Sequence, residues 1–191
     1  MTPGILILNG SSLKDADFYP MVQTLETIFD APVSLGRAAL DLNSAYDSSR
    51  NQTNSTVLLA QILSRADSNS GKRIAVVDQD LFIPVLTFVF GEAQLSGSAA
   101  IVSTHRLSNQ FYGLPRDDGL LLKRLEKEFV HELGHTFGLF HCHQFECVMR
   151  SSTYVEEIDL KRVHLCASCD AALRDRGQFS IYAKLAERYS W

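Results

Sequence analysis
Eleven consecutive residues constrain this chain more than any other stretch: His131-Glu-Leu-Gly-His135-Thr-Phe-Gly138-Leu-Phe-His141. They close a run in which Leu121, Leu122, Leu125, Phe129, Leu133 and Phe137 form an apolar stripe, so Leu120 to Leu139 reads as a helix with one buried face. It begins after Pro115-Arg-Asp-Asp-Gly, where Asp117 and Asp118 suit the positive end of a helix dipole. His131 and His135 lie four positions apart and project from one face, a turn from each other. Two imidazoles so placed can reach a single zinc at about 2.0–2.1 Å. Glu132 is rotated by about 100° from His131, which keeps it off the metal and within reach of a zinc-bound water. A straight helix would carry His141 about 9 Å past His135 on another face. Gly138 supplies the stop, because glycine takes a left-handed conformation without a Cβ penalty. The chain can then turn back and offer His141 as third ligand. Three histidines leave one position open, the pattern of a catalytic zinc rather than a structural one.

The four cysteines make a second set. Cys142 follows His141 directly, Cys147 comes after four intervening residues, and Cys166 and Cys169 form a C-x-x-C. Eighteen residues separate the inner pair, the spacing of a two-knuckle zinc site with four cysteine ligands. The start, Met1-Thr-Pro-Gly, lacks the basic and apolar regions of a secretory signal, so the chain is expected in the cytoplasm with thiols rather than disulfides. Two zinc ions per chain follow, one catalytic and one structural. A structural zinc contributes about 10–16 kcal/mol in small finger peptides, comparable with the ~5–15 kcal/mol of a whole domain. Residues 142–169 carry little apolar sequence, so the metal is expected to hold them together.

With 191 residues, 46% hydrophobic and 21% charged, the chain suits one globular domain rather than disorder. No run reaches the roughly 18 apolar residues of a membrane span; Leu81 to Phe90 is shorter and carries Pro84. The net charge of -4 argues against nucleic acid, as do Glu156, Glu157 and Asp159 beside the cysteines. Short apolar runs alternate with helical patterns, which predicts an α/β layer arrangement. Ile5 to Leu8, Val33 to Leu35, Arg73 to Asp78, Phe88 to Gly91 and Ala99 to Val102 read as strands. Pro20 to Phe29 reads as a helix with proline in its first turn. A second helix, capped by Thr53, Asn54 or Ser55, runs to about Arg65, and Phe179 to Trp191 reads as a docked terminal helix. The polar stretch Leu42 to Asn54 reads as a mobile loop.

H-E-x-x-H-x-x-G-x-x-H with methionine at position 149 resembles the metzincin zinc peptidases. The appended C-x4-C-x-M and C-x-x-C, with Asp80-Leu-Phe-Ile-Pro and Phe88-Val-Phe-Gly-Glu-Ala upstream, are similar to one branch, the archaemetzincins. The resemblance implies an α/β (α+β) zincin-like fold in one catalytic domain spanning residues 1–191. Its N-terminal lobe, 1–138, would hold a twisted mixed sheet, helices and the active-site helix. A zinc-stabilised C-terminal lobe, 139–191, would carry the four-cysteine site. It further implies His131, His135 and His141 as ligands of the catalytic zinc, Glu132 as general base, and Met149 in a turn beneath the metal. Phe88 to Gln94 would be an edge strand that binds extended peptide, with Phe88, Val89, Phe90, Gly91, Glu92 and Ala93 touching substrate. The implied activity is hydrolysis of peptide bonds in a peptide or protein, by a chain expected to be a monomer. The alternative is a zinc-stabilised binding module of the same fold with little or no peptidase activity.

Overall fold
The computed structural model describes residues 4–65 and 71–175. In chain order the elements are β1 (Ile5–Asn9), α1 (Asp15–Phe29), β2 (Val33–Arg37), α2 (Leu42–Ala45), β3 (Tyr46–Asp47), β4 (Gln52–Asn54) and α3 (Ser55–Ser64). Then follow β5 (Lys72–Val77), β6 (Leu81–Phe82), β7 (Gly91–Ala93), β8 (Ala99–Ser103), α4 (Asp118–Thr136), α5 (Val155–Leu160) and α6 (Ala167–Arg174). Two short 3-10 turns, His105–Leu107 and Asn109–Tyr112, lead into α4.

Alternation along two central strands sets the layers. Ile74 and Val76 of β5, with Ala100 and Val102 of β8, face a core shared with α1 and α4. Ala75 and Val77, with Ala99 and Ile101, face the opposite side and pack on Leu58, Leu59 and Ile62 of α3. Both faces of these strands are therefore covered, which is why they read as continuous apolar runs. The main sheet has the order β2-β1-β5-β8-β7. All its pairings are parallel except that of β7 with β8, so the sheet is mixed and its antiparallel member lies at the edge. A small second sheet, β3-β4-β6, flanks it.

Several sequence expectations shift by a few residues, each for a physical reason. Helix α1 begins at Asp15, upstream of Pro20, so the proline sits inside it. Phe18 anchors the extra turn by stacking on Phe129 at 6.1 Å, and the Asp17 carboxylate accepts the Lys14 amide at 2.8 Å. Burial of that ring offsets the one helical hydrogen bond that proline removes. The stretch 42–54 forms α2, β3 and β4 instead of a mobile loop. Its polar side chains bond their own backbone: Asp41 caps α2 by accepting the amides of Asn43 and Ser44, and Asp47 accepts the Ser49 amide at 2.9 Å. Asn54 is the cap of α3, accepting the Thr56 amide at 3.0 Å. The regular edge strand is β7 at Gly91–Ala93, later than Phe88 to Gly91, although Val89 makes an isolated bridge with Leu81. The helix expected at Phe179 to Trp191 lies outside the described residues.

Helix α4 runs beneath β5, β8 and β7 and carries His131 and His135. Asp117 caps its start by accepting the Leu120 amide at 2.8 Å. It ends where the glycine predicts: Gly138 has φ of 90°, its amide donates to His135 O at 2.9 Å, and the Leu139 amide donates to Gly134 O at 2.9 Å. The segment after this stop is not short of core, contrary to expectation. Val148, Met149, Val155 and Ile158 are buried and continue the cluster beneath α4.

Candidate active site
The stop at Gly138 returns the chain toward the helix, and the three histidines converge. One ligand atom from each of His131, His135 and His141 lies within 4.8 Å of the others. The Nε2 atoms of His131 and His135 are 3.2 Å apart. Two nitrogens at about 2.0–2.1 Å from a tetrahedral zinc would be separated by roughly 3.3–3.4 Å, so the pair fits the ion. The second nitrogens are already engaged: His131 Nδ1 lies 2.8 Å from Val148 O, and His135 Nδ1 lies 2.7 Å from Leu139 O. A backbone carbonyl there fixes the proton on Nδ1 and leaves Nε2 as the free lone pair, the usual arrangement around a ligating histidine. Burial depresses the pKa of all three, most strongly at His131, and so favours the neutral form that binds metal.

Glu132 is buried against the edge strand. A Cβ at position 91 would stand 2.7 Å from Glu132 Oε1 and 2.7 Å from Ile101 O, so glycine there is what lets helix and strand approach. Burial raises the Glu132 pKa well above the ordinary carboxylate range, with Glu128 and Glu92 adding repulsion. A cavity of about 600 Å³ opens in front of it. The six residues Phe88, Val89, Phe90, Gly91, Glu92 and Ala93 all line this cavity, together with the three histidines and Glu132. Glu92 is constrained there: its carboxylate accepts hydrogen bonds from Ser55 Oγ at 2.5 Å and Thr56 Oγ1 at 2.9 Å.

Met149 is fully buried, and its carbonyl accepts the Cys142 amide at 3.0 Å. The four cysteines also gather, with one sulfur from each within 4.8 Å of the rest. Cys142 and Cys166 sulfurs are 3.7 Å apart, Cys147 and Cys169 sulfurs 3.8 Å. Four thiolates at about 2.3 Å around a tetrahedral zinc would be spaced by roughly 3.8 Å, far from the ~2.05 Å of a disulfide. At Cys166 desolvation is outweighed by hydrogen bonds from Cys169 and the neighbouring thiols, and its pKa falls to about 7.

Three features of the site escape a reading by spacing alone. Gly134 faces Met149 closely enough that a Cβ would overlap the methionine sulfur. A glycine inside a helix is a signal in itself, since it costs about 1 kcal/mol relative to alanine and needs a packing reason. Glu128 and Lys161 also line the cavity, both nearly out of contact with solvent. No local pattern marks that pair.

Comparison with known proteins places this chain in a family. The model of peptidase family M54 matches residues 41–175. An archaemetzincin of Methanocaldococcus jannaschii is 42% identical over 133 residues, covering 70% of this chain and 72% of that one. The crystal structure of archaemetzincin from Methanopyrus kandleri superposes with a TM-score of 0.80 at 29% identity, over 93% of this chain and 96% of that one. That of a zinc-dependent peptidase from Methanocorpusculum labreanum gives 0.79 at 32% identity, over 89% and 100%. The chain belongs to peptidase family M54, the archaemetzincins.

Proposed function
We propose that this zinc metallopeptidase acts through His131, His135 and His141 as holders of a catalytic zinc, with Glu132 as general base. The observation that carries the assignment is the convergence of three histidine nitrogens beside a buried carboxylate at the floor of one open cavity. A zinc ion held by these three histidines would supply Lewis acidity toward the scissile carbonyl and the attacking water. Glu132 Oε1 or Oε2 takes a proton from the attacking water and returns it to the departing amine nitrogen. Cys142, Cys147, Cys166 and Cys169 hold a second, structural zinc, which makes two ions per chain. Such thiolates suit a reducing compartment, so we assign the cytoplasm.

Extended peptide pairs with β7. The Ser103 amide donates to Phe90 O and the Gln94 amide to Ala99 O, so antiparallel alternation turns the backbone groups of Gly91 and Ala93 outward. Those groups form the ladder with substrate, while Phe88, Val89, Phe90, Glu92 and their neighbours shape the subsites. Met149 supports the histidines from below. We take the chain as one catalytic unit of two lobes, 1–138 and 139–191, working as a monomer on peptide rather than nucleic acid. The inactive-module reading would need the open position filled. Tyr154 is 67% exposed and His143 is exposed, and neither lines the cavity.

No helix among the described residues is long and apolar enough to cross a membrane. The test is mass-spectrometric analysis of a diverse peptide library treated with zinc-loaded protein, using Glu132→Ala as the blank. Products confined to the wild type, from variants that retain equal zinc, are expected. Identical product sets would remove Glu132 from the mechanism.

A further inference from the structure
Behind the histidines lies a charged pair that hydrolysis as described does not use. Lys161 follows α5, and its side chain is 1% exposed. It reaches under α4, where Glu128, one helical turn before Glu132, is 4% exposed. The ammonium lies 3.9 Å from Glu128 Oε1, an oxygen with no hydrogen-bond partner. The contacts of Lys161 are with backbone instead. It donates to Arg150 O at 2.6 Å and to Val148 O at 3.4 Å, the carbonyls on either side of Met149. Val148 O is also the acceptor facing His131 Nδ1. One carbonyl thus receives both the histidine and the lysine.

Burying an ammonium and a carboxylate costs several kcal/mol per ion, and apolar residues of similar size would be as stable or more so. Stability alone therefore gives no reason for this arrangement. Its geometry does: a long side chain from the cysteine-bearing segment straddles the turn at Met149 and holds the carbonyl that orients His131. Partners one hydrogen bond from a metal ligand, as Val148 O is from His131, typically change metal affinity 10–100-fold when lost, and Lys161 acts one bond further out through that carbonyl.

We propose that Lys161 is a positioning residue for the catalytic metal, fixing the Val148 and Arg150 carbonyls around Met149 so that His131 keeps its Nε2 aimed at the ion. The assignment rests on the three-histidine reading given above.

The test measures zinc release to a chromophoric chelator, with metal content per chain determined beforehand. Wild type, Lys161→Met, Glu128→Gln and the double variant Lys161→Met/Glu128→Met are compared, and His135→Ala identifies the phase that belongs to the histidine site. The double variant removes both buried charges and keeps an apolar filling, so its thermal midpoint should stay near that of the wild type. It should nevertheless release the histidine-site zinc faster, by about 10-fold, with an unchanged cysteine-site phase and a lower kcat at similar KM. Glu128→Gln, which retains the lysine, should release zinc at close to the wild-type rate. Wild-type release from the double variant would overturn the proposal. So would equal acceleration in Glu128→Gln, which would assign the effect to lost charge balance. If the lysine variants cannot be folded with zinc present, Lys161 is a determinant of the fold and the positioning role falls. A wild type with no phase that His135→Ala removes would instead sink the three-histidine reading itself.

Discussion
A single hydrogen atom in place of a methyl group connects α4 to the turn at Met149. Alanine at position 134 would gain about 1 kcal/mol in helix propensity, but its Cβ would meet the Met149 sulfur and press on its methyl. Both partners are buried, so the end of the methionine can move only into the surrounding core. Overpacking of this kind costs about 1–3 kcal/mol. Gly134→Ala should therefore destabilise the protein in urea unfolding, against its propensity. In a Met149→Ala background the same change should be neutral or stabilising, because the sulfur is gone. A double-mutant cycle reads the coupling directly. Additive effects of the two substitutions would mean that the contact does not limit position 134. At Gly91 the crowding groups are the Glu132 carboxylate and the Ile101 carbonyl, so truncating Glu132 alone would not make room for a side chain there.

At the scale of elements, the site was legible wherever its geometry is local. The four-residue spacing of His131 and His135, the stop at Gly138 and the Asn54 cap depend on a few adjacent dihedrals, which residue type dictates. The start of α1 was not legible, because it depends on Phe18 meeting Phe129, a ring far along the chain. Nor was the order in residues 42–54, where polar side chains that suggest a loop instead close short hydrogen-bonded turns. Lys161 and Glu128 belong to the same class, since only packing of α5 on α4 brings them together. The approach to the edge strand depends on another such pair. Arg106 donates two hydrogen bonds to Asp80, at 2.6 and 2.7 Å, while its guanidinium lies 4.1 Å from the Phe88 ring centroid and 4.6 Å from that of Phe111. Burial would raise the Asp80 pKa, but the bonds from Arg106 and Gln52 outweigh it and hold the carboxyl below its ordinary value. A depressed carboxyl contributes stability above its unfolded pKa of about 3.9 and loses it as pH falls through the lower folded value. Asp80→Asn should thus cost roughly 2 kcal/mol at neutral pH, with a flatter decline of stability below about pH 4. An unchanged acid limb in urea titrations at pH 2–5 would show that Asp80 does not carry it.

For the whole molecule, the two apolar clusters respond differently to metal because they draw on different parts of the chain. The cluster under α3 is built entirely from residues up to Ile101 and contains nothing from the cysteine segment. The cluster under α4 includes Val148, Met149, Val155, Ile158 and Leu173, all from the segment that carries the four cysteines and His141. Structural zinc binding is worth about 10–16 kcal/mol in peptides, comparable with the ~5–15 kcal/mol of a whole domain, so its loss should be felt beyond the cysteine loop itself. The cost should fall on one face of the sheet. Without zinc the segment 139–175 lifts, uncovering the C-terminal half of α4, while β1, β5, β8 and α3 keep their own packing and backbone ladder. Hydrogen exchange of zinc-loaded and chelator-stripped protein should accordingly show protection lost over 128–175 and retained in β1, β5 and α3. Uniform loss would mean that the sheet and the metal-bearing segment form one cooperative unit. Unchanged protection in 139–175 would mean that the buried apolar residues, rather than the metal, hold that segment in place.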